Sequence, residues 1–265
     1  MQQHRPLPDV TVLSDHAEVP GLGFLPVNTF VVHAAEPVVV DTGLSTPGKD
    51  FVAELASVID PADVRWIWIT HPDRDHTGGL WSLLEAAPQA KLVTTFLGVG
   101  IMSCEWEVPM HRVHLLNPGQ RLDVGDRQLV ALRPPLFDSP STTGFYDDRS
   151  GALFSSDCFG GPMPSPEVAE SGDARAAGDT LRDTQLLWAS VDSPWVHHVD
   201  EAAYRATVDP LRALDPSAIL STHLPPAVGM NGQLLDTAAA APSVPPFVGP
   251  DQQALEALLA TFEPA

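Results

Sequence analysis

Basic residues and cysteines are scarce in this sequence. Its 265 residues include only 14 lysines and arginines against 34 aspartates and glutamates, which gives a formal net charge of -20. Nucleic acids and anionic lipid surfaces are bound through basic side chains that neutralise phosphate groups, so we expect neither as a partner. The two cysteines, Cys104 and Cys158, fit neither a disulfide framework nor a zinc ribbon. We therefore expect buried, reduced thiols.

Long apolar runs are also absent. No segment approaches the roughly 20 consecutive apolar residues that a membrane-spanning helix needs. The N-terminal residues have neither the basic nor the apolar region of a secretory signal, which predicts a cytoplasmic location. The content of 44% hydrophobic and 18% charged residues is typical of a globular protein, and the length fits a single domain over residues 1–265.

The opening part of the sequence predicts strands followed by a helix. Residues 10–43 contain short segments rich in β-branched residues and separated by turns, which indicates a β-meander. In residues 45–60 the apolar side chains recur at helical spacing. We expect Ser45 or Thr46 to cap this helix and Pro47 to lie in its first turn.

Three later apolar segments lead to an ionisable residue. The run VRWIWIT, residues 64–70, predicts a strand buried on both faces, and His71 follows it directly. Residues 151–157 and 217–223 are also predicted strands, and they end at Asp157 and His223.

The remaining segments are rich in small residues and proline. Residues 162–183 contain many Pro, Ser, Gly, Ala and Asp residues, which predicts a mobile loop or lid. From about 230 to 265 we expect a proline-rich connector and then a closing helix capped by Asp251.

The densest cluster of chemically active side chains is His71-Pro72-Asp73-Arg74-Asp75-His76. It places two imidazoles and two carboxylates within six residues on one predicted loop. Carboxylates this close repel one another, and each would take up a proton unless a cation lay between them. The motif therefore predicts a metal-binding loop.

This motif resembles that of the metallo-β-lactamase superfamily, H-x-H-x-D-H, with a carboxylate in place of the second histidine. It is similar to the flavodiiron proteins and to their relatives without a flavodoxin domain, the oxygen-binding diiron proteins, whose motif reads H-x-E-x-D-H. Asn28 and Asp41 also fall where that family has its opening strands. The likeness covers residues 10–225. It implies an α/β fold, the four-layer αββα sandwich of the metallo-β-lactamase fold.

The resemblance also implies a set of metal ligands. His71, Asp73 and Asp138 would bind the first ion. Asp75, His76 and His223 would bind the second ion, and Asp157 would bridge both ions.

Two positions depart from the family pattern. Asp73 is one methylene shorter than the family's glutamate, and Asp138 stands where the family has histidine. Asp138 could instead turn outward and leave its coordination position to water, as in many catalytic sites.

Three residues are candidates for a catalytic role. In this superfamily the residue at the position of Asp75 positions the metal-bound water. His197 and His198 lie where the oxygen-binding relatives have a similar histidine-rich run. A surface or supporting role is the alternative for these two histidines.

The predicted ligand set is rich in oxygen, which suits iron or manganese better than zinc, although zinc stays open. By resemblance we expect a diiron oxidoreductase that binds or reduces dioxygen or nitric oxide, or oxidises a small substrate. The 265 residues contain no flavodoxin domain, so either a separate electron-donor protein docks, or the protein binds or senses oxygen, or it oxidises an organic substrate. A homo-oligomer is compatible with this function. One alternative is a binuclear zinc or manganese hydrolase of an ester, lactone or thioester. Another is a scaffold that has lost its metal.

Overall fold

Two β-sheets form the centre of the fold. A computed structural model describes residues 1–46 and 48–260 of the chain. The first sheet has seven strands in sequence order, antiparallel up to β4 and parallel from β4 to β7. Its strands are β1 (Gln2–Leu7), β2 (Val10–Val19), β3 (Gly23–Val32), β4 (Val38–Val40), β5 (Trp66–Trp68), β6 (Lys91–Thr94) and β7 (Val113–Leu115).

The second sheet has six strands in the order β13-β12-β11-β10-β9-β8. Only β11 and β12 pair in parallel, so their carboxyl ends lie at the same edge. The strands are β8 (Arg121–Asp123), β9 (Gln128–Leu132), β10 (Gly144–Asp147), β11 (Ala152–Phe154), β12 (Ala218–Leu220) and β13 (Ala227–Val228).

Helices cover the outer face of each sheet. Beside the first sheet the chain forms α1 (Phe51–Ala56), α2 (Arg74–Thr77), α3 (Leu80–Ala86) and α4 (Phe96–Met102). Residues of α1, α3 and α4 pack into its outer core, whereas α2 is a short helix in the loop after β5. The later helices are α5 (Pro166–Ala169), α6 (Leu181–Asp192), α7 (Glu201–Leu214), α8 (Asn231–Ala239) and α9 (Gln252–Leu259). Helices α6 to α8 pack against the second sheet, which completes the predicted αββα sandwich. Helix α5 contacts β2 and β3 of the first sheet.

The alternation of side chains along the strands produces separate cores. On β3, Phe30 and Val32 face the core between the two sheets, whereas Val31 faces the helices on the other side. Each such side chain contributes about 1.5–3 kcal/mol when it is fully buried. Trp68, Phe145 and Phe154 fill the centre between the sheets, and their rings stack or tilt against one another.

Several details differ from the sequence predictions. The first helix begins at Phe51, and its cap is Asp50, whose carboxylate accepts a hydrogen bond from the Ala53 N–H at 3.1 Å. Ser45 and Thr46 are therefore not its caps, and Pro47 lies outside the described residues. The thiol of Cys158 is buried as expected, but Cys104 is exposed.

The later segments contain more regular structure than predicted. The proposed lid includes α5 and a 3-10 helix (Ala174–Thr180), and its residues Met163, Ala169 and Ala174 are buried in the outer core. Helix α8 occupies part of the predicted connector. Helix α9 follows Asp251, which accepts a hydrogen bond from the Ala254 N–H at 2.9 Å. Among the described residues, we find no helix with the length and apolarity to cross a membrane.

Candidate metal centre

The candidate ligands meet at one edge of the sandwich. His71 follows β5 of the first sheet, whereas Asp157 and His223 follow the parallel strands β11 and β12 of the second sheet. Asp138 lies in the loop between β9 and β10. Side chains from both sheets therefore converge on the same place, although they are distant in sequence.

Close backbone approach shapes the loop that carries Asp73, Asp75 and His76. This loop runs into the short helix α2, after which Gly78 donates a hydrogen bond to the Gly43 carbonyl at 2.9 Å. A Cβ atom at Gly78 would overlap the backbone of residues 43–45. Only glycine lets the two loops pack together here.

The first group of ligand atoms surrounds His71. Its Nε2 lies 3.3 Å from an oxygen of Asp157, 3.7 Å from Asp138 and 3.9 Å from Asp73. Asp138 therefore faces the cluster instead of turning away from it. Ligands that bind one ion at about 2.1 Å lie roughly 3.0–3.4 Å apart at right-angled or tetrahedral positions. The observed spacing is close to that range.

The second group surrounds His76 and His223. The Nε2 atom of His76 lies 3.1 Å from Asp157 and 3.8 Å from Asp75, and that of His223 lies 3.4 Å from Asp157 and 3.3 Å from Asp75. Oδ1 of Asp157 faces this group, whereas its Oδ2 faces His71. One carboxylate thus lies between two sets of donors, as a bridging ligand would.

Two buried atoms at the junction have no hydrogen-bond partner. They are Nε2 of His76 and Oδ1 of Asp157, whose side chains are at most 4% exposed. A buried polar group without a partner costs about 1–3 kcal/mol, and a charged group costs more. A cation bonded to both atoms would remove this cost, so the donor set fits a metal ion.

Hydrogen bonds on the far side of the rings orient all three imidazoles. Nδ1 of His223 donates to the Pro26 carbonyl at 2.7 Å, and Nδ1 of His76 lies 2.8 Å from a carboxylate oxygen of Asp41. Nδ1 of His71 lies 3.2 Å from the Ser156 hydroxyl. A neutral ring that carries its proton on Nδ1 directs the Nε2 lone pair into the cluster, as a metal ligand must.

Asp41 links several of these groups. It accepts hydrogen bonds from the Thr70 N–H and hydroxyl at 2.8 and 2.9 Å and from the Thr222 hydroxyl at 3.1 Å. Asp41 and Ser156 also adopt left-handed backbone conformations, with φ of 55° and 53°. Such conformations strain residues other than glycine and concentrate at functional sites.

The charges of the cluster perturb one another strongly. Burial alone would raise the pKa of Asp157, but the three imidazoles hold it well below its usual range. Burial would lower the pKa of His223, yet Asp157 and Asp75 raise it to about 9. The carboxylates therefore stabilise the protonated, positively charged form of the imidazoles. Metal ions that displace these protons would also compensate the negative charge of the carboxylates.

Asp192 was missed by the sequence analysis. It ends α6, and one of its carboxylate oxygens lies within 4.8 Å of oxygens of Asp138 and Asp157. Burial and these two carboxylates raise the pKa of Asp192 to about 8. No local motif marks this residue, because only the docking of α6 onto the second sheet brings it to the site.

His197 and His198 do not join the cluster. His197 shares a hydrogen bond with the Ser190 hydroxyl at 2.9 Å, and His198 is exposed. Among the described residues, no carboxylate lies within 4.0 Å of either ring. The geometry therefore gives no support to their predicted catalytic role, whereas it brings the other seven predicted residues together.

A family model identifies the fold. The model of the Metallo-beta-lactamase superfamily matches residues 22–223. The chain belongs to this superfamily. The match runs from β3 to His223 and includes the candidate ligands.

Individual relatives within the superfamily are distant. The chain is 29% identical over 134 residues to the anaerobic nitric oxide reductase flavorubredoxin of Salmonella typhi, which covers 50% of this chain and 28% of the relative. The structure of rubredoxin oxygen:oxidoreductase from Desulfovibrio gigas superposes with a TM-score of 0.78 and 17% identity, over 93% of this chain and 63% of that one.

A shorter solved structure is similar over nearly its whole length. It is fragment 1–254 of putative diflavin flavoprotein A 5 from Nostoc, with a TM-score of 0.72 and 15% identity over 91% of this chain and 96% of the fragment. The chain thus spans less than a third of the curated relative and about two thirds of the longer structure.

Proposed function

We propose that this protein is a diiron oxidoreductase that binds or reduces dioxygen or nitric oxide. The observation that carries the proposal is the pair of donor groups that share Asp157. In the proposed centre His71, Asp73 and Asp138 hold the first ion, and Asp75, His76 and His223 hold the second. The names of the relatives, a nitric oxide reductase and an oxygen:oxidoreductase, support this reaction class.

The ligand types of the site favour iron over zinc. The four aspartates of the proposed ligand set balance two divalent ions. Such an oxygen-rich set suits iron or manganese. When bound, two ferrous ions would supply electrons to dioxygen or nitric oxide.

The protein's own groups have defined tasks in this proposal. Asp41, Pro26 and Ser156 keep the three imidazoles in the tautomer that binds metal. Reduction of dioxygen to water takes more electrons than two ferrous ions hold, so a separate electron-donor protein is part of the proposal. A cytoplasmic location and a homo-oligomer remain predictions.

Reconstitution with iron tests the proposal. The purified protein is loaded with ferrous iron without oxygen and then exposed to dioxygen or nitric oxide while gas uptake and the optical spectrum are recorded. We expect gas consumption and a ferric charge-transfer band, both lost in Asp157→Asn. The matched control is Asp63→Asn, because Asp63 is exposed and precedes β5, whereas His71 follows the other end of that strand.

The same material separates the oxidoreductase from the hydrolase predicted as an alternative. Protein that keeps tightly bound zinc, consumes no gas after iron loading and hydrolyses a simple ester or lactone would contradict the proposal. In that case Asp75→Ala would abolish hydrolysis, since a metal-bound hydroxide would be the nucleophile.

A further inference from the structure

A preformed apolar cleft is lined by residues that precede Asp138 in the sequence. Its volume is about 370 Å³, which lies within the range of small-molecule pockets. Pro134, Pro135, Phe137, Trp195 and Tyr204 form its walls. The cleft lies between the loop that precedes Asp138 and the segment that joins α6 to α7.

The aromatic walls are fixed by hydrogen bonds. The indole N–H of Trp195 donates to the Phe137 carbonyl at 2.7 Å, and the two rings pack with their centroids 4.9 Å apart. The Tyr204 hydroxyl donates to the Ala238 carbonyl at 3.0 Å. Little side-chain entropy would therefore be lost when a ligand binds.

The cleft has a positive rim. Among the described residues that line it, Arg133 alone is charged at neutral pH, and its guanidinium carbon lies 5.0 Å from the centre of the Phe137 ring. One arginine nitrogen donates to the Pro140 carbonyl at 2.8 Å, and no carboxylate of the described residues lies within 4.0 Å of the guanidinium. None of the lining residues is acidic, although the chain contains 34 acidic residues.

The cleft and the candidate metal centre adjoin in the sequence. Phe137 directly precedes Asp138, whose carboxylate lies 3.7 Å from Nε2 of His71. Trp195 follows Asp192 by three residues, a separation of at most roughly 10 Å along the chain. The two segments that form much of the cleft are therefore the ones that carry Asp138 and Asp192.

We propose that the cleft binds a small aromatic carboxylate. The aromatic ring packs against Phe137 and Trp195, and the carboxylate pairs with the Arg133 guanidinium, which matches carboxylates in shape and charge. Binding itself does not depend on the metal. This binding site goes beyond the proposed function and does not rest on it.

Calorimetric titration of the full chain tests the site. The probes are 1-naphthoate and its neutral counterpart 1-naphthalenemethanol. We expect Arg133→Met to weaken 1-naphthoate at least about tenfold and to leave the alcohol nearly unchanged, because only the charged hydrogen bonds are lost. Arg121→Met is the matched control, since Arg121 is exposed and outside the cleft.

A second variant tests whether the probes bind in the cleft and not elsewhere on the surface. Ala203 lines the cleft and is exposed on α7, so Ala203→Trp fills the space without altering the core. It should abolish binding of both probes. No binding of 1-naphthoate to the parent, or equal binding to Arg133→Met, would overturn the proposal. Binding in protein that fails the iron and oxygen test would instead refute only the proposed function.

Discussion

At the scale of single residues, one hydrogen-bond partner of each imidazole determines which ring nitrogen carries the proton. His76 is completely buried, and the partner of its Nδ1 is Asp41, which is also buried. Asp41 receives hydrogen bonds at both of its oxygens. It therefore has no freedom to change its orientation without the loss of a bond.

Asp41→Asn tests this dependence. The new amide nitrogen must face either the Thr70 N–H or Nδ1 of His76, and in the second case the proton moves to Nε2 and blocks the metal. We expect metal affinity to fall about 10- to 100-fold. Competition with a chromogenic chelator measures it, with Asp63→Asn as the control. Unchanged affinity would show that Asp41 does not orient the ring.

Gly78 sets a steric limit beside the same loop. Gly78→Ala should reduce the free energy of unfolding by about 1–3 kcal/mol, because the new methyl group meets backbone atoms of residues 43–45. Gly100→Ala is the matched control, since Gly100 lies within α4 and a Cβ there meets nothing within 4 Å. That variant should be neutral or slightly more stable. Denaturant titration measures the free energy of unfolding of both variants. Equal values would contradict the expected steric overlap at Gly78.

At the scale of elements, a buried arginine connects the second sheet to the first. The Arg127 side chain is 1% exposed and forms ion pairs with Asp147 on β10, with Asp126 and with Asp9 beside β2. The three carboxylates hold the pKa of Arg127 above its usual range, although burial opposes this. The charge is thus part of the packing between strands.

Arg127→Met removes this charge and keeps much of the side-chain volume. The variant would leave the completely buried carboxylate of Asp147 without its cationic partner. Breaking a buried ion pair in this way typically reduces stability by about 3–5 kcal/mol. Urea denaturation should show the decrease, whereas the exposed Arg121→Met should stay within about 0.5 kcal/mol of the parent. A similarly small change in both variants would mean that Arg127 is not essential to the sheet contact.

Local sequence patterns predicted the strands and helices whose own residues form a clear apolar pattern. The apolar run before His71 indicated a strand that ends at the metal motif, and β5 lies there. Asp50 was overlooked as a cap because Ser45 and Thr46 are equally good caps by type. Helix α8 was missed since its sequence is followed by alanines and prolines that suggested a connector.

The site was predictable only where a motif or a strand end marks a residue. Asp157 and His223 follow predicted strands, and the structure places them beside His76. Asp192 belongs to a helix whose docking depends on contacts distant in sequence. His197 and His198 were predicted as catalytic residues by resemblance alone. In the structure their 3-10 helix directs His197 toward Ser190.

At the scale of the whole molecule, the candidate centre joins the two sheets. His71 and His76 come from the first sheet, whereas Asp157 and His223 come from the second. Bound ions would therefore act as a link between the two halves of the sandwich. The negatively charged cluster would lose its compensation if the ions were removed.

Metal removal should accordingly destabilise the fold. Dialysis against a chelator is expected to lower the melting temperature, because ligands that bind only the folded state stabilise it in proportion to their affinity and concentration. Ferrous iron added without oxygen should restore the value. The control is Asp157→Asn, whose melting temperature should respond to neither treatment. A parent protein indifferent to the chelator would argue against a metal link between the sheets.

The central claim is that the acids and imidazoles at this edge hold two ions that share Asp157. Elemental analysis of protein purified without added metal tests it most directly. The account predicts about two metal ions per chain, mostly iron, and a clear loss in Asp157→Asn but not in Asp63→Asn. Metal-free parent protein that takes up no ferrous iron, or full metal content in Asp157→Asn, would contradict it.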